Sequence, residues 1–194
     1  MRSIGKKQET FVCPWWLIRT FDNPLRLVLQ KPERILRELV HPGDRCLDVG
    51  CGYGYFTIPM ARLVGPTGSV VAVDLQPEML KGVRRRAERE NLSSRIVVHQ
   101  ADGSGLHLDG AFDCALAFWM MHEVPDQKSM LVEICVALKL GARFLLSEPR
   151  LHVNQRSFDR TVELAEEVGF ERLSKPRIFF SRSLLMSKEE APAA

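Results

Sequence analysis

Cys-Leu-Asp-Val-Gly-Cys-Gly-Tyr-Gly, residues 46–54, is the stretch of sequence that decides the fold. Its first half is apolar and predicts a buried strand that ends near Asp48. Gly50, Gly52 and Gly54 then predict a tight loop, because glycine adopts positive φ easily and lets the backbone approach a ligand closely. Residues 55–64 have a helical pattern, so the unpaired N–H groups of a helix N-terminus follow this loop. The order of strand, loop and helix predicts a site for a flat or charged ligand.

The spacing of the glycines separates two ligand classes. In the dinucleotide fingerprint the third glycine lies three positions after the second, and that position is Tyr55 here. The stretch LDVGCGYG instead resembles the first motif of class I S-adenosylmethionine (SAM)-dependent methyltransferases. The stretches that follow, over roughly residues 33–187, resemble the small-molecule branch that includes the quinone-biosynthesis methyltransferases.

Strands and helices alternate along the rest of the chain. A short helix is predicted from Pro32, and the first strand at 44–48. Further strands are predicted at 69–74, 95–100, 112–121 and 142–147, two strand-like stretches at about 170–180 and 182–187, and helices at 77–91, 127–140 and 154–168. The resemblance implies an α/β fold with a Rossmann-like, seven-stranded, mostly parallel sheet. Its strand order would be 3-2-1-4-5-7-6, with the last strand antiparallel and helices on both faces.

The resemblance also assigns residues to the cofactor SAM. Asp74, at the end of the second strand, would bind the ribose hydroxyls, with Leu75 beside it. Asp102 would accept a hydrogen bond from the adenine amino group, and the adjacent backbone at Gly103 would reach a ring nitrogen; an ordinary Asp-Gly turn is the alternative. The glycine loop would hold the methionyl part, Asp48 would meet the ammonium group, and the fourth strand would end beside the sulfonium. The expected cofactor-binding residues are Asp48, Gly50, Cys51, Gly52, Gly54, Asp74, Leu75, Asp102, Gly103 and Phe118.

His122 is the candidate catalytic residue, because it follows the fourth strand and its imidazole changes charge near neutral pH. A purely structural role for His122 stays open. The histidines and cysteines show no metal-ligand spacing, so no metal is expected. The Phe- and Trp-rich amino terminus, together with the apolar run from Phe118 to Met121, suggests a small, partly apolar methyl acceptor.

Charge and sequence motifs limit the classes of substrate and partner that the chain can bind. The net charge of +3 is spread along the chain, and the fourth strand lacks the Asn/Asp-Pro-Pro-aromatic motif of base-directed enzymes, so a nucleic-acid substrate is disfavoured. Three alternatives remain: a SAM-binding protein without catalysis, a macromolecular methyltransferase, and a nicotinamide-dependent oxidoreductase. No apolar run reaches the length of a spanning helix, which favours a cytoplasmic protein.

The chain has 194 residues, which suits one domain. We expect an amino-terminal extension at 1–32, a SAM-binding methyltransferase domain at 33–187 and a disordered tail at 188–194. The apolar segment 11–29 could pack on the sheet, close over the ligand as a lid, or contact a membrane surface or a second subunit in a homodimer.

Overall fold

One mixed sheet organises the part of the chain that the structure, a computed structural model, describes: residues 30–108 and 110–189. The strands are Arg45–Val49 (β1), Ser69–Asp74 (β2), Ile96–Gln100 (β3), Phe112–Phe118 (β4), Leu138–Pro149 (β5), Phe170–Ser174 (β6) and Ser181–Lys188 (β7). Their order in the sheet is β3-β2-β1-β4-β5-β7-β6. β7 runs antiparallel to β5 and β6, and the other pairs are parallel. The predicted fold class and strand order are confirmed.

The helices start where the sequence provides a suitable first residue. The helices are Pro32–Leu36 (α1), Thr57–Leu63 (α2), Pro77–Arg89 (α3), Gln127–Ala137 (α4) and Gln155–Glu167 (α5), with 3₁₀ turns at Ser93–Arg95 and Met121–Glu123. Proline opens α1 and α3, as expected for a residue without an N–H group. Asp126 and Asn154 cap α4 and α5, and their side chains accept from the backbone N–H of Ser129 and Ser157.

Two apolar layers bury the central strands. On one face Leu47 and Ala115 pack with residues of α4 and α5. On the other face Cys46 and Leu116 pack with residues of α1 and α2. Central parallel strands covered on both faces need a nearly continuous apolar sequence, which β1, β2 and β4 have. Within the described residues no helix is long and apolar enough to cross a membrane.

Several predicted boundaries are wrong. The fifth strand, expected at 142–147, is Leu138–Pro149, and the stretch expected at about 170–180 is a strand only over Phe170–Ser174. The helix expected at 127–140 ends at Ala137, and β5 starts directly at Leu138, which pairs with Phe112. The strand expected at 112–121 ends at Phe118, because Trp119 adopts a left-handed conformation with φ of 60°. Apolar residues fit both a helix and a strand, so pairing in the sheet decided these limits. The proposed roles of segment 11–29 and most of the expected tail lie outside the described residues.

Candidate active site

A cavity of about 840 Å³ opens at the carboxyl ends of the parallel strands, where open α/β sheets bind ligands. The loops after β1 to β5 and the loop between β6 and β7 form its wall. Ten residues predicted from the sequence line it: Asp48, Gly50, Cys51, Gly52, Asp74, Leu75, Asp102, Gly103, Phe118 and His122. Gly54, predicted to touch the cofactor, lies outside this lining.

The three glycines of the loop have different neighbours. A Cβ added to Gly50 would lie 2.7 Å from Cβ of Met120, and one added to Gly54 would lie 3.3 Å from Cγ2 of Val83. Gly52 has φ of 52°, and a Cβ there would meet nothing within 4 Å. Gly50 and Gly54 therefore allow close packing within the protein, while Gly52 leaves open space at the cavity.

Asp74 fastens the glycine loop to the end of β2. Its Oδ2 accepts from the N–H of Gly52 at 2.9 Å, and its Oδ1 accepts from the N–H of Gln76 at 2.9 Å. Burial raises the pKa of Asp74 although these hydrogen bonds oppose the rise. Each carboxylate oxygen has a second lone pair, so the same group can accept from hydroxyls of a ligand.

Asp48 is a buried carboxyl group at the base of the cavity. Thr57 Oγ1 donates to its Oδ2 at 2.5 Å. Burial, together with the charge of Asp74, raises the pKa of Asp48 to about 7, although the hydrogen bond from Thr57 opposes this. A cation bound beside Asp48 would favour its ionised form.

Asp102 shapes the loop after β3. Its Oδ1 accepts from the N–H of Ser104 at 2.7 Å, from the hydroxyl of Ser104 at 2.6 Å, and lies 3.0 Å from Nε2 of His107. These interactions hold the pKa of Asp102 well below its usual range. The residue forms the turn considered as the alternative and also lines the cavity, so the two interpretations are compatible.

His122 pairs with a carboxylate that the sequence did not reveal as part of the site. Glu148, near the end of β5, is buried; its Oε2 contacts Nδ1 of His122, and its Oε1 accepts from the N–H of Met121 at 2.8 Å. Burial lowers the pKa of His122, but the hydrogen bond and charge of Glu148, with the charge of Glu123, outweigh burial and raise it. An imidazole that lines the cavity thus contacts a buried carboxylate that does not line it.

The wall beyond His122 is mostly apolar, and the loop before β7 supplies part of it. Phe180 has φ of 54°, rare for a residue with a large side chain. Its carbonyl accepts from the N–H of Arg150 at 2.9 Å, and the carbonyl of Phe179 accepts from Nε2 of Gln30 at 2.7 Å. Trp119, Met120, Leu151, Phe179 and Phe180 line this part of the cavity. The sequence predicted only a strand-like stretch through residue 180.

Residues 40–178 match a family model described as a methyltransferase domain. The chain belongs to this methyltransferase family.

Similarities to known proteins agree with the family. The ubiquinone/menaquinone biosynthesis C-methyltransferase UbiE of Teredinibacter turnerae is 34% identical over 124 residues, which are 62% of this chain and 50% of that protein. The demethylmenaquinone methyltransferase of Lactobacillus johnsonii is 36% identical over 101 residues, 52% of this chain and 41% of that protein. The chain spans about half the length of the curated relatives it matches. A SAM-dependent methyltransferase of Aquifex aeolicus has the same fold, with a TM-score of 0.81 at 22% identity over 90% of this chain and 98% of that one.

The cofactor of this methyltransferase family is SAM, and the cavity suits it. Gly52 leaves room for close approach of a ligand to the loop. Asp48 and Asp74 place two carboxyl groups where a ligand with positive charge and ribose hydroxyls could bind. When bound, SAM supplies an electrophilic methyl group on a sulfonium.

The methyltransferase chain holds one group of potential metal ligands among its described residues. Asp44, Cys46 and Cys114 place their ligand atoms within 4.8 Å of one another. Cys46 and Cys114 are paired residues on β1 and β4 inside the apolar core. The hydrogen bond to Cys114 and burial raise the pKa of the Cys46 thiol, which disfavours the thiolate that metal binding requires.

Proposed function

We propose that the chain transfers a methyl group from SAM to a small, partly apolar acceptor that contains an aromatic ring. The observation that carries this proposal is the division of one cavity into two parts. Carboxyl groups and the glycine loop border one part, and aromatic and aliphatic side chains border the other. Such a cavity can hold a charged cofactor beside an apolar acceptor.

Three carboxyl groups that line the cavity would bind parts of SAM. In this proposal Asp74 accepts from the ribose hydroxyls, Asp102 accepts from the adenine amino group, and Asp48 meets the ammonium group. Gly52 leaves space for the methionyl chain, and the exposed side chain of Leu75 provides an apolar surface near the adenosine. The Cys51 and Gly103 backbones complete this part of the wall.

The acceptor part favours a flat, apolar molecule. Phe179 and Phe180 lie edge to face, with ring centroids 4.5 Å apart, and both side chains are about half exposed. Aromatic side chains at a cavity mouth can stack on a ring of a ligand. Relatives named for ubiquinone and menaquinone biosynthesis make a quinol-type ring the first acceptor to test.

Alignment is the main catalytic task in this proposal. A methyl sulfonium already contains its leaving group, so holding the acceptor in line with it can supply about 7–11 kcal/mol of the barrier reduction. The apolar wall would also exclude water, which competes as a nucleophile.

The location of the protein and the extent of its catalytic domain are also part of the proposal. We propose a cytoplasmic enzyme whose catalytic domain covers residues 33–187. If segment 11–29 forms a lid, limited proteolysis within it slows when SAM is added. Cleavage at an unchanged rate would favour a homodimer contact or simple packing on the sheet. Analytical sedimentation would then distinguish a dimer from a monomer.

Calorimetric titration with SAM and with its demethylated product tests the cofactor site. Asp74→Ala is expected to abolish measurable binding, whereas Asp159→Asn, an exposed carboxyl group on α5, is expected to leave binding unchanged. Release of the demethylated product in the presence of quinols, simple phenols and amines then tests the acceptor class. Binding without turnover of any acceptor would favour a SAM-binding protein without catalysis. Failure of the intact chain to bind either ligand would refute the proposal.

A further inference from the structure

We propose that Glu148 is a positioning residue that fixes the tautomer of His122, so that Nε2 of His122 accepts a proton from the methyl acceptor. This inference rests on the proposed function. It extends that function by assigning a proton acceptor, by adding a residue from a different strand, and by restricting the acceptor to molecules that lose a proton on methylation.

The first step is the rigidity of Glu148. Its backbone is paired with Arg182 of β7, and its side chain is 1% exposed. Oε1 accepts from the N–H of Met121 at 2.8 Å, so the carboxylate is held by the same turn that carries His122. Arg182 is engaged elsewhere, with the side chain of Gln155 and the carbonyl of Arg150. The negative charge of Glu148 therefore acts on His122.

The second step is the tautomer. An ionised carboxylate can only accept hydrogen bonds, so the nitrogen of His122 that contacts Glu148, Nδ1, must carry a hydrogen. In neutral imidazole the other nitrogen, Nε2, then holds a free lone pair. Among the described residues nothing binds Nε2, and His122 lines the cavity with a side chain that is 23% exposed. The arrangement presents a base to a bound acceptor.

The third step concerns the groups that surround the imidazole. Glu148 faces it from β5, Glu123 follows it in the chain, and the ring of His152 lies 5.9 Å away between centroids. Both carboxylates favour protonation of His122 and raise its pKa, against the effect of burial. Positive charge on His152 would oppose them. These groups make His122 a stronger base than a free histidine.

The chemistry restricts the acceptor. Nε2 takes the proton of an O–H or N–H group of the acceptor, and the electron pair released forms the bond to the methyl carbon, directly or through a conjugated ring carbon. The bond between methyl carbon and sulfur breaks, and its electron pair remains on sulfur. When a ring carbon is methylated, the hydrogen on that carbon leaves as a proton to solvent and restores the aromatic ring, and Nε2 returns its proton to the acceptor oxygen. When the oxygen or nitrogen itself is methylated, Nε2 releases its proton to solvent. One proton is released in either case. A phenol or quinol satisfies this scheme, whereas a tertiary amine, which has no such proton, does not need Nε2.

Glu148→Gln tests the tautomer directly in the protein without cofactor. The glutamine can keep Oε1 as acceptor for Met121, but it then presents an NH₂ group to Nδ1 of His122. Nδ1 must become the acceptor, and the hydrogen moves to Nε2. We expect ¹⁵N NMR of histidine-labelled protein to report Nδ1–H in the original chain and Nε2–H in the variant, with a lower pKa for His122. His122→Gln identifies the resonance. Glu123→Gln is the control: it removes a nearby negative charge but keeps the contact between Glu148 and Nδ1 of His122.

Kinetics complete the test with an active acceptor. Glu148→Gln is expected to lower kcat by about 100-fold, the lower range for a general base, and to change the Kd of SAM less than threefold. Glu148→Asp, which keeps the charge, should restore the Nδ1–H tautomer and part of kcat. The same tautomer in Glu148→Gln and the original chain would overturn the proposal, as would an unchanged kcat. If Glu148→Gln does not fold, the tautomer of His122 in the original chain decides: the Nε2–H tautomer would overturn the proposal, and the Nδ1–H tautomer would support it. Absence of SAM binding by the original chain would instead refute the proposed function.

Discussion

The buried carboxyl group of Asp48 makes the stability of the free protein depend on pH in a defined direction. Its pKa rises from 3.8 to about 7 in the folded chain. A tenfold change in proton affinity corresponds to about 1.4 kcal/mol, so ionised Asp48 destabilises the free protein by at most about 4 kcal/mol. The folded state holds a proton that the unfolded chain has released, so the free energy of unfolding falls as the pH rises from about 4 to 7.

Asp48→Asn isolates this effect. Asparagine retains an oxygen that can accept from Thr57 Oγ1, but it does not titrate. We expect the variant to be more stable than the original chain at pH 8, by up to about 4 kcal/mol, and the difference to shrink steadily toward pH 5. Urea unfolding at four pH values measures it, and titrating groups that do not interact with Asp48 cancel in the comparison. Asp159→Asn, on the exposed face of α5, is the matched control for the loss of a carboxyl group.

Cofactor binding should favour the ionised form of Asp48 over the protonated form. In the proposed complex the ammonium group of SAM favours ionised Asp48, so binding at pH 6 should release about one proton. SAM affinity should fall about tenfold for each pH unit below 7. Calorimetry at pH 6 in two buffers of different ionisation enthalpy counts the protons. A stability difference that is independent of pH, together with binding that releases no proton, would show that Asp48 does not titrate near neutrality.

Three further predictions use the same cavity. Gly50→Ala should destabilise the fold by about 2 kcal/mol or more, because the new Cβ would lie 2.7 Å from Met120 at a residue with positive φ. Gly52→Ala should destabilise the fold by only about 1 kcal/mol and should mainly weaken SAM binding. Thermal unfolding measures the loss of stability in each variant, and calorimetry measures the loss of SAM binding. Phe180→Gly should leave stability within about 1 kcal/mol, since relief of the left-handed φ offsets lost contacts, and should raise KM for an apolar acceptor more than it changes kcat; an unchanged KM would argue against the acceptor wall. Asp102→Ala should weaken SAM binding about tenfold by removing one hydrogen bond and loosen the Ser104 turn, detectable as faster hydrogen exchange there.

Local sequence and the family resemblance together predicted the fold and ten of the residues that line the cavity. The strand at Ser69–Asp74 was predicted to the residue, because a β-branched run that ends in an acid has one simple interpretation. Asp74 then falls beside the glycine loop through the parallel pairing of β1 with β2. These relations need only short spacings and the rule that parallel strands end at one edge.

The other half of the site depends on pairing that no local pattern records. Glu148 lies 26 residues after His122 and meets it because β5 pairs with β4 in one particular register. A shift by one residue would turn Glu148 to the opposite face. Gly54 does not line the cavity, and the closeness of Val83 on α3, 3.3 Å from a Cβ added at Gly54, becomes visible only after the helices are packed.

The turn from Trp119 to His122 joins the two halves mechanically. The left-handed Trp119 donates its backbone N–H to the carbonyl of Ser147 at 2.7 Å, and the next residue, Met120, packs against Gly50. Met121 donates to Glu148, which holds His122. A side chain added at Gly50 must therefore displace Met120. Because Met120 and His122 belong to the same short turn, this displacement should also move His122. Gly50→Ala should consequently alter the His122 NMR signals as well as stability, whereas Gly52→Ala, which faces open space, should leave those signals in place.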